Sequence, residues 1–275
     1  MTVVMFTKML QRTGELSLPE AADVLVDLGF DGADLTVRPG GYVEPDDAAT
    51  GIPEAIEIFA ERGLTVPMLT TAITDADDPA TREIFAAADA HGVEAIKLGY
   101  WPYDGFGSLR RQLDEMRVDL NGIYAVSRDY DVTPCLHIHS GRHLTAEATL
   151  LRDVLSGYHP DHLGAYLDPA HMTLEGGRSG WELGMDALQE YTSIVSVKNF
   201  GWVEGTADDG TVTWEYTKYP VADGLTPWDA VVENLDAMEF DGIYSVHSEY
   251  YDMSWQELQE QTAADVAYLQ ELLDR

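Results

Sequence analysis

The segment Cys135–Gly141 reads CLHIHSG and sets His137 and His139 two residues apart in an apolar run. Residues i and i+2 of a β-strand share a face, so the two imidazoles point the same way. Imidazole can carry a proton near neutral pH and can ligate a divalent metal. Other ionisable residues close short apolar runs in the same manner: Lys8, Asp34 with Arg38, Lys97, Asp168 with His171, Lys198, and His247 with Glu249. Imidazole and carboxylate together make an N/O donor set for divalent ions, and lysine beside them offers positive charge to substrate oxygens or an enolate.

Residue usage sharpens the pattern. The chain has four lysines, Lys8, Lys97, Lys198 and Lys218, and the first three fall at these run ends. A buried lysine is costly without a partner or a task. Ion pairing with nearby carboxylates is the structural alternative. Of eight histidines, His137, His139, His171 and His247 sit at run ends, whereas His91, His159 and His162 lie near helix ends or turns.

The elements that must position these groups alternate along the chain. Strands are expected over 2–8, 32–37, 64–71, 93–100, 132–140, 162–168, 193–200 and 242–250. Helices are expected between them. One is announced by the capping box Ser17-Leu18-Pro19-Glu20 and stopped by Gly29, another is placed near 181–191, and Ser254-Trp255-Gln256-Glu257 opens the last. Eight strand–helix units in 275 residues predict an α/β (β/α)8 TIM barrel, one domain over 1–275. The rival open sheet would carry a glycine-rich phosphate turn after its first strand, where this chain reads KMLQRTGELS. After the seventh strand, WVEGTADDGTVTWEYTKYPVADG reads as a β-hairpin around Asp208-Asp209-Gly210, either a lid over the barrel mouth or a surface decoration.

Composition limits the partners. There are 49 acidic against 16 basic residues, a net charge of −33. Such a field disfavours nucleic acid and acidic membrane surfaces. The acid is dispersed among apolar periodic segments, as on proteins adapted to high salt. Cys135, the only cysteine, excludes an intramolecular disulfide and is expected in the core. No apolar run is long enough to cross a bilayer, and the N-terminus lacks a signal pattern, so a soluble cytoplasmic protein is expected. The sequence leaves the oligomeric state open, a homo-oligomer included.

In GFDGADLTVRPGGYVEP (29–45), YLDPAHM (166–172), VSVKNF (195–200) and HSEY (247–250) the chain resembles the xylose isomerase-like TIM-barrel family of sugar isomerases and epimerases. The resemblance implies a divalent metal such as Mn, Zn, Mg or Co, held by carboxylates and a histidine from strands five to eight. Position by position it places Asp168 and Glu249 among the ligands, His171 against substrate, and Lys198 on the seventh strand. Two positions depart: His137 stands where the family has a glutamate, and Ser196 where it has a histidine. The lysine is followed by Asn199 instead of aspartate.

The expectation is a sugar isomerase or epimerase that removes a proton alpha to a carbonyl and returns it through an enediolate. Glu249, His137 and Lys198 are the catalytic candidates, and Asp168, Glu249 and His137 the metal ligands. Lys8, Arg38, Lys97, Trp101, His139, His171 and His247 are candidates for binding a small carbohydrate. A site without metal, where Lys198 supplies the charge, stays open. So do a keto-sugar lyase or hydratase and a catalytically silent sugar-binding protein.

Overall fold

A computed structural model describes residues 1–275. Short, largely apolar runs form the strands β1 (Thr2–Phe6), β2 (Gly32–Val37), β3 (Thr65–Thr71), β4 (Ala95–Lys97), β5 (Thr133–His137), β6 (Gly164–Leu167) and β7 (Thr192–Val197). Two further strands, β8 (Asn199–Thr206) and β9 (Val212–Tyr219), form the hairpin, and β10 (Ile243–Val246) is the last strand of the barrel. β10 pairs in parallel with both β7 and β1, which closes the eight-stranded barrel. The (β/α)8 expectation is therefore met, with the hairpin after the seventh strand as a separate two-stranded sheet.

Side-chain alternation divides each strand between two cores. Outward residues such as Met5, Leu69, Ile96, Leu136 and Val195 join a 62-residue apolar cluster under the surrounding helices. Inward residues Val4, Met68, Ala95, Cys135, Tyr166, Ile194 and Ile243 fill the barrel floor. Cys135 is a buried free thiol within that floor. Two residues further along most strands, the inward positions turn polar: Lys97 above Ala95, His137 above Cys135, Ser196 above Ile194 and Ser245 above Ile243. The period of two thus stacks an apolar floor beneath a polar mouth.

Some boundaries differ from expectation. Lys8 opens a short helix, Lys8–Arg12, instead of closing β1. The helix placed near 181–191 begins at Pro169. Its start was hidden in Asp168-Pro169: the Asp168 side chain accepts from His171 N at 3.0 Å as an N-cap, with proline at the first helical position. Gly177, at φ 62°, interrupts that helix. Both capping boxes form as expected.

Asn199 secures the hairpin's base. Its Nδ2 donates to Val221 O at 2.8 Å and Thr226 O at 3.1 Å, while its Oδ1 accepts from the amides of Phe200 and Thr226 at 2.9 Å. A carboxylate could serve only the two amides. Asn199→Asp should therefore leave two buried carbonyls facing a charge and destabilise the fold by about 2–4 kcal/mol, read as a lowered denaturant midpoint.

Candidate functional site

The mouth of the barrel encloses a cavity of 120 Å³ lined by Phe6, Lys8, Arg38, Thr70, Lys97, Tyr100, His137, His139, Tyr166, Lys198, His247 and Glu249. All four lysines of the chain gather here: three line the wall, and Lys218 reaches in from β9. Strand ends supply most of the wall because the inward period continues past the apolar floor.

At its centre is a buried ion pair. Lys198 Nζ lies 2.7 Å from Asp168 Oδ2 and 3.3 Å from His247 Nδ1. Burial would raise the Asp168 pKa, but the His171, Lys198 and His137 groups facing it outweigh burial and hold it well below the usual carboxylate range. Asp168 is thus an anionic acceptor, and it sets the tautomers around it. His137 Nε2, 3.0 Å away, must donate to Asp168, so its Nδ1 accepts from Tyr100 Oη at 2.9 Å. His247 is engaged at both nitrogens too, accepting from Lys198 and donating to Tyr166 Oη at 2.7 Å.

His139 differs. Its Nδ1 lies 2.9 Å from Ser140 O, an acceptor only, so this nitrogen carries the hydrogen. Its Nε2 is left as a bare lone pair on a ring that lines the cavity. Burial, with the Lys198 charge adding, pulls its pKa down to about 4, and burial pulls His137 down to about 3. Both rings are neutral at pH 7, but only His139 has a nitrogen to spare.

Glu249 lies at the rim. Its Oε1 is 2.6 Å from Lys8 Nζ and 2.9 Å from Tyr251 Oη, and its Oε2 is 3.1 Å from Lys218 Nζ. Burial would raise its pKa, yet Lys218, Lys198, His247 and Lys8 together hold it well below the usual value. The hairpin is therefore more than decoration: β9 delivers a cation to the site, and Lys218 Nζ also stands 4.3 Å over the Phe200 ring of β8.

Trp101, a sequence candidate for carbohydrate binding, does not line the cavity. It is 8% exposed, donates from Nε1 to Asp119 at 2.9 Å, and belongs to the outer core. Its neighbour Tyr100 faces the cavity instead, with Lys97 Nζ 3.6 Å from its ring centre. His171 stands behind the wall, its ring 4.1 Å from His139 and its Nδ1 2.6 Å from Ser140 Oγ. Tyr100, Tyr166 and Lys218 enter the site without a sequence signal of their own. Tyr100 was hidden by the more conspicuous tryptophan, and Lys218 lies remote from any barrel strand.

The residues present do not fit a divalent ion as arranged. Asp168 Oδ2 already faces the Lys198 ammonium and the His137 N–H, and both Glu249 oxygens face ammonium groups. Asp168, Glu249 and His137 therefore do not come together as ligands, and no group of three or more His, Cys, Asp or Glu is placed to hold a metal.

Residues 22–272 match the family described as the xylose isomerase-like TIM barrel. The chain belongs to that family. Comparison with curated proteins gave no match. Solved structures of similar fold include D-psicose 3-epimerase from Clostridium cellulolyticum H10, at 14% identity, covering 99% of both chains with a TM-score of 0.70. The 3-keto-D-glucoside 4-epimerase of E. coli shares 14% identity over 98% of this chain and 99% of its own, with a TM-score of 0.71. A probable 3-DHS dehydratase from Bacillus anthracis shares 13% identity over 98% of this chain and 99% of its own, with a TM-score of 0.70. Identities this low speak for the fold alone. No helix of this family member is long and apolar enough to cross a membrane.

Two outcomes follow from the geometry. Protein purified without chelator should carry far less than one divalent ion per chain by elemental analysis, and EDTA should leave its melting temperature unchanged; stoichiometric, chelator-sensitive metal would contradict the ion-paired arrangement. Stability should also fall with acidification. His137 and His139 have depressed pKa values in the fold, so below pH 6.5 the unfolded chain binds protons that the native state refuses until about pH 3 and 4, respectively. Asp34, buried and pushed up to about 6, opposes this between pH 6 and 3.8. The buried imidazoles His171 and His247, also depressed, add to the larger side. Denaturant midpoints should therefore decline from pH 7 to 4.5.

Proposed function

We propose that this protein is a sugar epimerase or isomerase that enolises a small keto-sugar with lysine, instead of metal, as the counter-charge. One observation carries the reading: a buried ammonium, Lys198, at the cavity between two unprotonated bases on other strand ends, His139 and Glu249. A base that removes the proton alpha to a carbonyl leaves an enediolate, whose negative oxygen needs preorganised positive charge. Lys198 sits in low dielectric, fixed by Asp168 and His247, and reorganises little as charge develops.

His139 Nε2 and Glu249 take the acid–base roles, in place of the His137–Glu249 pair expected from sequence. His137 has both nitrogens committed, so it holds Asp168 and Tyr100 in position. Bases after β5 and after β10 flank the strands that carry Asp168 and Lys198, which suits delivery of a proton to a different side or atom from the one that lost it. Structural likeness to several sugar epimerases supports this class. The dehydratase of the same fold keeps a second reading in view, because the same enolate can expel water from the next carbon.

The test is solvent-proton exchange. Keto-sugars incubated with the protein in D2O should gain deuterium alpha to the carbonyl, detected by NMR. Glu249→Gln and His139→Gln should each slow this by about 10²–10⁴-fold. A panel with no incorporation in any keto-sugar, or undiminished exchange in both variants, would overturn the proposal. Water loss at the next carbon would select the dehydratase.

A further inference from the structure

The cations of the mouth are unequally matched. Lys198 is paired with Asp168, and Lys8 and Lys218 share Glu249. Lys97 and Arg38 have no carboxylate within ion-pair distance. Lys97 is 3% exposed, and its ammonium has only a 3.5 Å approach to Thr71 O and the Tyr100 ring. The Arg38 guanidinium makes no hydrogen bond and lies 5.4 Å over the Phe6 ring. Asp34, which could have paired with Arg38, gives its carboxylate oxygens to Thr70 and Ser245 at 2.6 and 2.8 Å.

The two unmatched cations share one side of the cavity, from β4 and the end of β2, where the buried Asp34 carboxylate acts on both but forms an ion pair with neither. They also act on each other. Burial is the main cause pulling the Lys97 pKa down to about 7, and the Arg38 charge is next. Like charges left together in a buried wall cost free energy that an anion between them would return. Arg38 and Lys8 further line an adjoining open cavity with Arg12, and no acidic residue faces it. In a chain of net charge −33 that keeps only four lysines, such a cluster of cations around the mouth is a focused positive patch.

We infer that Lys97 and Arg38 bind an anionic group of the substrate, a carboxylate or a phosphate, so that the sugar handled here is an acid and not a neutral hexulose. The inference rests on the proposed sugar chemistry for its substrate class but concerns a different wall of the cavity. A sugar hydroxyl can accept a hydrogen bond from Lys97, but it leaves both charges uncompensated. A carboxylate or phosphate accepts the planar guanidinium in a bidentate pair and the ammonium on a second oxygen.

The experiment compares three probes by calorimetry at equal ionic strength: D-fructose, D-fructose 6-phosphate and the keto-uronate D-fructuronate. At least one acid should bind more than about tenfold tighter than D-fructose, and the better of the two identifies phosphate or carboxylate. Lys97→Met and Arg38→Gln should each reduce that preference by about tenfold, weakening the acid more than D-fructose. Arg38 is half-buried, so its variant keeps the test open if the Lys97 variant does not fold. Equal binding of all three probes, binding of neither acid, or a preference that survives both substitutions would overturn the inference. The D2O exchange assay separates the two proposals: acid preference without exchange removes only the epimerase reading, and equal exchange and binding of neutral and acidic sugars removes only the anionic group.

Discussion

The pair formed by Lys198 and Asp168 sets the order of everything around it. Two charges at the mouth of a closed barrel are costly to desolvate, and removing one partner from such a pair costs about 3–5 kcal/mol. Once Asp168 is held as an anion, the neighbouring imidazoles have no freedom of tautomer. His137 must donate to it, Tyr100 must then donate to His137, and His247 accepts from the lysine and donates to Tyr166. The polar layer is thus one connected network, in which most buried donors and acceptors find partners.

That network also decides where reactivity remains. Groups inside it are positioned but spent, and the groups at its edge have lone pairs or charges to offer. His139 Nε2, the Lys97 ammonium and the Arg38 guanidinium lie outside, and all three line the cavity. In the reading proposed above, the departures from the family pattern fit a site centred on lysine. His137 stands in place of a carboxylate and Ser196 in place of an imidazole, Lys218 adds a cation from the hairpin, and Asn199 is an amide that ties the hairpin down. Each change makes sense with an ammonium at the centre.

The acidic exterior and the basic mouth belong to the same charge distribution. Dispersed carboxylates keep the surface solvated and repel other polyanions. Lysine has been retained where a fixed cation has carboxylates to meet or a cavity to face. A small anion approaching against the outer field gains from screening by salt and from the unpaired cations inside.

The sequence by itself determined the barrel, the hairpin and most of the residues at the mouth. Strand and helix periods are local, capping boxes and glycine stops are local, and a strand's inward period carries past an apolar floor to a polar end wherever the barrel closes. His137 beside His139, the strand-end lysines and Asp168 were legible for that reason. The tertiary structure decided what could not be local. It brought Lys218 from an insertion to a carboxylate 31 residues further along the chain, and it sent Trp101 into the core while turning Tyr100 to the cavity. It also chose between the two histidines, because which nitrogen is free depends on a carboxylate 31 residues from His137 and a lysine from another strand. Hydrogen-bond partners across a barrel are set by register and closure, and no spacing along one strand encodes them.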